Sequence, residues 1–142
     1  MKTLALRFGE TFSPECGTIE AHQNVIKEKG YVWWGKTGST ISKDKIGEAL
    51  KSKKILLIRS GRFERYWAYI DSISTATPED IECIPEYYRD MTDKFKVWFR
   101  IKRFETAERD VMGKCVVVSS QSPLSLASRH SMNPCFFIEY KE

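Results

Sequence analysis

Four tryptophans stand close to cations along the middle of this chain. Trp33 and Trp34 run into Gly35 and Lys36, Trp67 follows Arg59, Arg62 and Arg65, and Trp98 sits between Lys96 and Arg100. Flat aromatic faces stack on exposed bases, and cations draw a phosphate backbone, so this mixture is the raw material of a nucleic-acid or nucleotide site. Trp33, Trp34, Lys36, Arg59, Arg62, Trp67, Trp98 and Arg100 are the candidate ligand-binding residues. Other chemistries find less support. Gly35-Lys36-Thr37-Gly38-Ser39 offers backbone donors and a lysine for an oxyanion, but it lacks the full phosphate-loop pattern and reads as a turn. Cys16 with His22, and Ser128 with His130, are the nearest nucleophile–base pairs, and nothing marks either nucleophile as sitting on a strained elbow or a helix N-terminus. His22 falls on the apolar stripe of its helix, where a histidine is more often packed than catalytic. Glu48, Glu64 and Glu105 are scattered. The four cysteines, Cys16, Cys83, Cys115 and Cys135, form no closely spaced pair, so free thiols are expected, with no metal and no cofactor.

Elements must bring these residues together. A chain of 142 residues with 42% apolar and 30% charged side chains has the size and balance of one ordinary domain. Its net charge of +4 matters only if gathered on one face. The apolar runs are too short to cross a bilayer, and an arginine at position 7 interrupts any signal-peptide core, so a cytoplasmic chain without membrane contact is expected. Thr3 to Phe8 suits a strand, and Thr18 is placed to cap a helix that Gly30 stops. Tyr31 to Trp34 reads as a short strand, and Ser42 as the cap of a helix to about Lys51. Lys54 to Arg59 is a buried strand, turning at Ser60-Gly61-Arg62 into a partner from Arg65 to Ile73. Thr77-Pro78-Glu79-Asp80 begins a helix, and Ile84 to Arg89 a further helical turn. Phe95 to Phe104 alternates most regularly: Phe95, Val97, Phe99 and Ile101 on a core face, Lys96, Trp98, Arg100 and Lys102 on a basic one. Cys115 to Ser119 and Cys135 to Tyr140 complete the sheet around a short helix opened by Ser122-Pro123. The expected fold is a single α+β domain: a curved, mostly antiparallel sheet or pseudo-barrel of about six strands with short helices.

The order of these elements resembles the PUA-like superfamily, with its EVE, YTH and ASCH branches. The likeness runs over about residues 31–104: the Trp33-Trp34-Gly35-Lys36 strand end, a short helix ending in lysines, the strand Ile55 to Ser60, the aromatic strand Tyr66 to Ile70, an acidic helical link, and Val97-Trp98-Phe99-Arg100-Ile101. It implies a pocket at a barrel mouth that holds a flipped or single-stranded modified base. Trp33 or Trp34 and Trp67 would then form a cage, with Trp98 near it, and Lys36, Arg59, Arg62 and Arg100 would face phosphate. The chain is thus expected to bind nucleic acid or a nucleotide rather than to catalyse a reaction. The alternatives are a small nuclease or amidohydrolase on the same barrel, and a module whose aromatics dock a protein. Adjacent residues of a strand point to opposite faces, so of Trp33 and Trp34 one is expected in the core and the other toward solvent or a pocket.

Overall fold

Alternating apolar residues build the strands, and the computed structural model describes them over residues 1–9, 14–59 and 64–141. Arg62, and with it the turn expected at Ser60-Gly61-Arg62, lies outside the described residues. The strands are β1 (Lys2–Phe8), β2 (Val32–Thr37), β3 (Lys54–Arg59), β4 (Arg65–Ser74), β5 (Phe95–Thr106), β6 (Cys115–Val117) and β7 (Cys135–Tyr140). Three α-helices accompany them: α1 (Thr18–Lys29), α2 (Lys43–Ser52) and α3 (Leu124–His130). Three 3-10 segments cover Ile81–Cys83, Glu86–Lys94 and Val111–Lys114. The seven strands form one mixed sheet in the order β2-β5-β4-β3-β1-β7-β6, and only the β1–β3 pair is parallel. This is a single α+β domain whose sheet does not close.

The sheet curls tightly. Leu4, Leu6 and Phe8 of β1 share one buried cluster with Val32 and Trp34 of β2, Ile55 and Leu57 of β3, Ala68 and Ile70 of β4, and Val97, Phe99 and Ile101 of β5. Strands lie about 4.8 Å apart, so the four steps from β2 to β1 would span about 19 Å in a flat sheet. The rings of Phe8 and Trp34 nevertheless meet edge to face with centroids 5.8 Å apart. Ile19, Val25 and Ile26 of α1 and Ala49 and Leu50 of α2 pack into the hollow. The helices end as their sequences dictate: Gly30 adopts the left-handed conformation that stops α1, and the Ser42 side chain accepts from Lys45 N to start α2. Gly17, not Thr18, occupies the N-cap of α1, and the Thr18 hydroxyl donates instead to the Gly9 carbonyl at 3.2 Å.

Curling does not close the barrel, because β1 already has a partner on each edge. Residues 5–8 of β1 pair with β3, and residues 2–6 pair with β7. Strand β2 therefore arrives beside the end of β1 with no free ladder to join, and a seam remains.

Further expectations are corrected. Gly35-Lys36-Thr37 is strand, not turn: Gly35 faces Trp98 and Lys36 faces Val97 across the β2–β5 ladder, which runs with a bulge to Thr37. Its glycine is required by close approach, since a Cβ on Gly35 would sit 2.5 Å from the Phe95 ring. The face of β5 that carries Trp98 is also not an open basic surface. Trp98 is fully buried with Trp33, Phe95, Cys83, Ile84 and Tyr88 in a second layer, because the 3-10 segments fold back over it. Phe95 belongs to that layer rather than to the Val97 face. Trp33 and Trp34 do leave opposite faces of β2, but both are buried, at 7% and 3% exposure.

Two stability measurements follow. Gly35→Ala should cost about 1–3 kcal/mol by denaturant unfolding, as overpacking against a fixed ring does. Trp33→Ala and Trp34→Ala should each cost about 3–5 kcal/mol, instead of one being neutral.

Candidate functional site

At the seam lies a cavity of about 260 Å³. Leu6 to Gly9 at the end of β1 form one lip and Trp34 to Thr37 of β2 the other. Tyr87, Tyr88, Met91 and Lys94, from the 3-10 segment before β5, supply a wall. The wall is aromatic in depth. His22 of α1 lies 4.5 Å from the Trp34 ring and 5.2 Å from Tyr88, which in turn packs 4.6 Å from both Tyr87 and Phe95. His22 Nδ1 lies 2.8 Å from the Thr18 carbonyl, and since a carbonyl only accepts, that nitrogen carries the proton.

Three cations line the cavity, Arg7, Lys36 and Lys94, and among the lining residues there is no carboxylate. The three differ in what holds them. Arg7 directs its guanidinium to the carbonyls of Ser128, in the last turn of α3, and of Ser131 and Asn133 just beyond it. Lys94 is exposed at the rim. Lys36 is only 6% exposed and shares the inner face of β2 with Val32 and Trp34. Its Nζ donates to the carbonyls of Thr37 at 3.1 Å and Ser39 at 2.7 Å.

The structure thus brings Trp34 and Lys36 to the seam and distributes the other candidates. Trp33 lies behind them on the opposite face of β2, its indole N–H 3.0 Å from both carboxylate oxygens of Asp80. Arg100 is beside it, ion-paired with Asp71 at 2.7 Å and lying over the Tyr31 and Trp33 rings. Trp98 is enclosed below, and its indole N–H has no partner among the described residues. Trp67 packs on the outer face against Tyr140, with Lys54 Nζ 4.2 Å from its ring centroid. Arg59 ends β3 in an ion pair with Glu64 at 2.7 Å, and Arg62 is outside the described residues. Tyr87, Tyr88 and Lys94 were not among the candidates. Their signal was a tandem tyrosine on a polar helical turn after Pro85, with nothing local to say which wall it would build.

That wall is anchored through Asp80. Its carboxylate accepts from the Tyr31 hydroxyl and the Trp33 indole, tying the start of the 81–94 segment to β2. Partial burial pushes the Asp80 carboxyl up, but the two donors outweigh it and hold the group below the usual carboxylate range. The same bond drives the Tyr31 hydroxyl upward.

The fold, the seam and the order of elements define a PUA-type domain, and comparison with known proteins agrees. The family model described as Pua-like matches residues 4–133, and the chain belongs to that family. Such domains bind RNA and other nucleic acids as a class. Neither a curated protein nor a solved structure matches the chain. Among the described residues no helix is long and apolar enough to cross a membrane.

Because the Asp80 carboxyl is depressed in the fold, its contribution to stability is complete above the unfolded value near 4 and is lost as pH falls through the lower folded value. Asp80→Asn should therefore shrink the acid-side fall in stability below about pH 4. Melting temperatures from pH 2 to 7 check this; equal slopes in both proteins would refute it.

Proposed function

We propose that the seam pocket receives a single base of a nucleic acid, or a nucleotide, and that the protein is a binding module rather than an enzyme. The lining carries this reading: clustered aromatic rings and cations, with no carboxylate among the described lining residues, are what a planar ring attached to a phosphate requires. Size supports it as well. About 260 Å³ lies just under the roughly 300 Å³ at which pockets begin to hold drug-sized ligands, so one ring system suits it better than a larger molecule. A base reaches such a pocket only from a single strand or by flipping out of a duplex, and a modified base that stacks more strongly would gain there. In this reading Trp34 with Tyr87 and Tyr88 forms the stacking wall, and Lys94 at the rim meets phosphate. Trp33 and Trp98 hold the wall from behind, while Trp67 on the outer face and the ion-paired Arg59 and Arg100 stand apart from the pocket.

The experiment is a titration of short single-stranded and duplex oligonucleotides, with and without base modifications, at two salt concentrations. Binding should weaken as salt rises, and Lys94→Glu should lower affinity for every sequence and reduce the salt slope by about one contact. Absence of binding at either salt would overturn the proposal. Cleavage of the oligonucleotide would replace it with the nuclease alternative.

A further inference from the structure

Lys36 is an unusual residue to find so deep in a pocket wall. A buried ammonium is costly unless its protons and its charge are both answered. Two of its three protons go to the carbonyls of Thr37 and Ser39. Among the described residues no carboxylate lies within ion-pair distance of it. Cys135, near enough for Lys36 and Lys45 to act on its thiol, supplies no counter-charge either, because burial pushes that thiol upward despite both lysines and keeps it neutral. Among the described residues, one proton and most of the positive charge of Lys36 are thus left unanswered.

Depth decides which part of a nucleotide would answer them. Lys94 is exposed, where a solvated phosphate would remain, whereas Lys36 is 6% exposed on the face of β2 that carries Trp34, its ammonium held at the Thr37 and Ser39 carbonyls. A group that meets Lys36 has entered with the base. We infer that Lys36 reads the edge of the base, so that the seam pocket selects a keto ring (guanine, thymine or uracil) over an amino ring (adenine or cytosine). This rests on the base-binding reading of the same pocket. An ammonium only donates. Guanine O6 and thymine or uracil O4 accept at the exocyclic position where adenine N6 and cytosine N4 donate. At that position a keto ring answers the remaining proton of Lys36, while an amino ring sets donor against donor. A hydrogen bond to a charged group corresponds to a preference of about tenfold to a hundredfold.

The test uses short single strands in which one base stands among abasic residues, with that base varied through guanine, thymine, uracil, adenine and cytosine. Affinities are measured at two salt concentrations for the wild-type chain, Lys36→Met and Lys94→Glu. The wild-type chain should prefer the three keto bases by about tenfold or more. Lys36→Met, close in volume, should erase the preference and leave the salt slope unchanged. Lys94→Glu should keep the preference and lower the slope. Equal affinity for all five bases in the wild-type chain, or a preference for adenine and cytosine, overturns the inference without any variant. So does a Lys36→Met chain that keeps the preference and loses salt dependence, which would make Lys36 a phosphate contact. If the wild-type chain binds none of these strands, the base-pocket reading falls together with this one.

Discussion

Five neighbouring strands, β2, β5, β4, β3 and β1, carry apolar side chains on the same face, and among the described residues α1 and α2 pack against it with Ile41 and Phe137. Hiding that face from water requires the sheet to bend until its two sides share one core, and the contact between Phe8 and Trp34 marks where they meet. Bending brings β2 to β1 but does not let it pair, since β3 and β7 already hold the β1 edges. Hydrophobic burial thus drives closure and hydrogen-bond saturation forbids it. The seam is what remains between the two, and the pocket is the seam. Its location follows from strand order rather than from any local motif.

The outer face of the curled sheet obeys the same rule in two patches. One, around Ala5, Leu56, Trp67 and Ile138, is covered by the Val111–Lys114 segment and α3. The other, around Trp33 and Trp98, is covered by the 81–94 segment. That second cover has two surfaces. Tyr88 turns inward to Phe95 and Trp98 and also lines the pocket, so one stretch of chain both seals the core and forms the cavity wall. The Asp80 carboxylate that fixes its start to Tyr31 and Trp33 therefore bears on the site as much as on the fold. Trp33 accordingly acts through position: its indole holds the support of the wall, while its neighbour Trp34 faces the cavity.

Much of this was legible in the sequence. Alternation marked β5, the unbroken apolar run of Lys54 to Arg59 marked a strand covered on both sides, and glycine and serine marked the limits of α1 and α2. What failed did so where distant chain intervenes. Gly35-Lys36-Thr37 has the local chemistry of a turn, but the ladder to β5 and the Phe95 ring hold it extended. Trp98 among cations looked like a surface ring, because the segment that buries it is linked to β5 only through the fold. The pocket divides along the same line. Trp34 and Lys36, two residues apart on one strand, share a face by simple alternation, whereas Tyr87 and Lys94 join them only once the sheet has curled.

Lys36 shows how those levels combine. Strand alternation points its side chain inward with Trp34, curling deprives it of most of its water, and the turn after β2 offers two carbonyls but no counter-ion among the described residues. An apolar residue of similar length would seal the same position without the desolvation cost. The lysine therefore contributes little to the fold that a methionine would not, and it does so as a residue of the cavity lining. Arg7 makes the contrast plain. It lines the same cavity, but its guanidinium is held by three carbonyls near the end of α3, where cations complement the negative end of a helix. One cation joins elements of the scaffold together; the other, equally well held in place, has two acceptors among the described residues for its three protons.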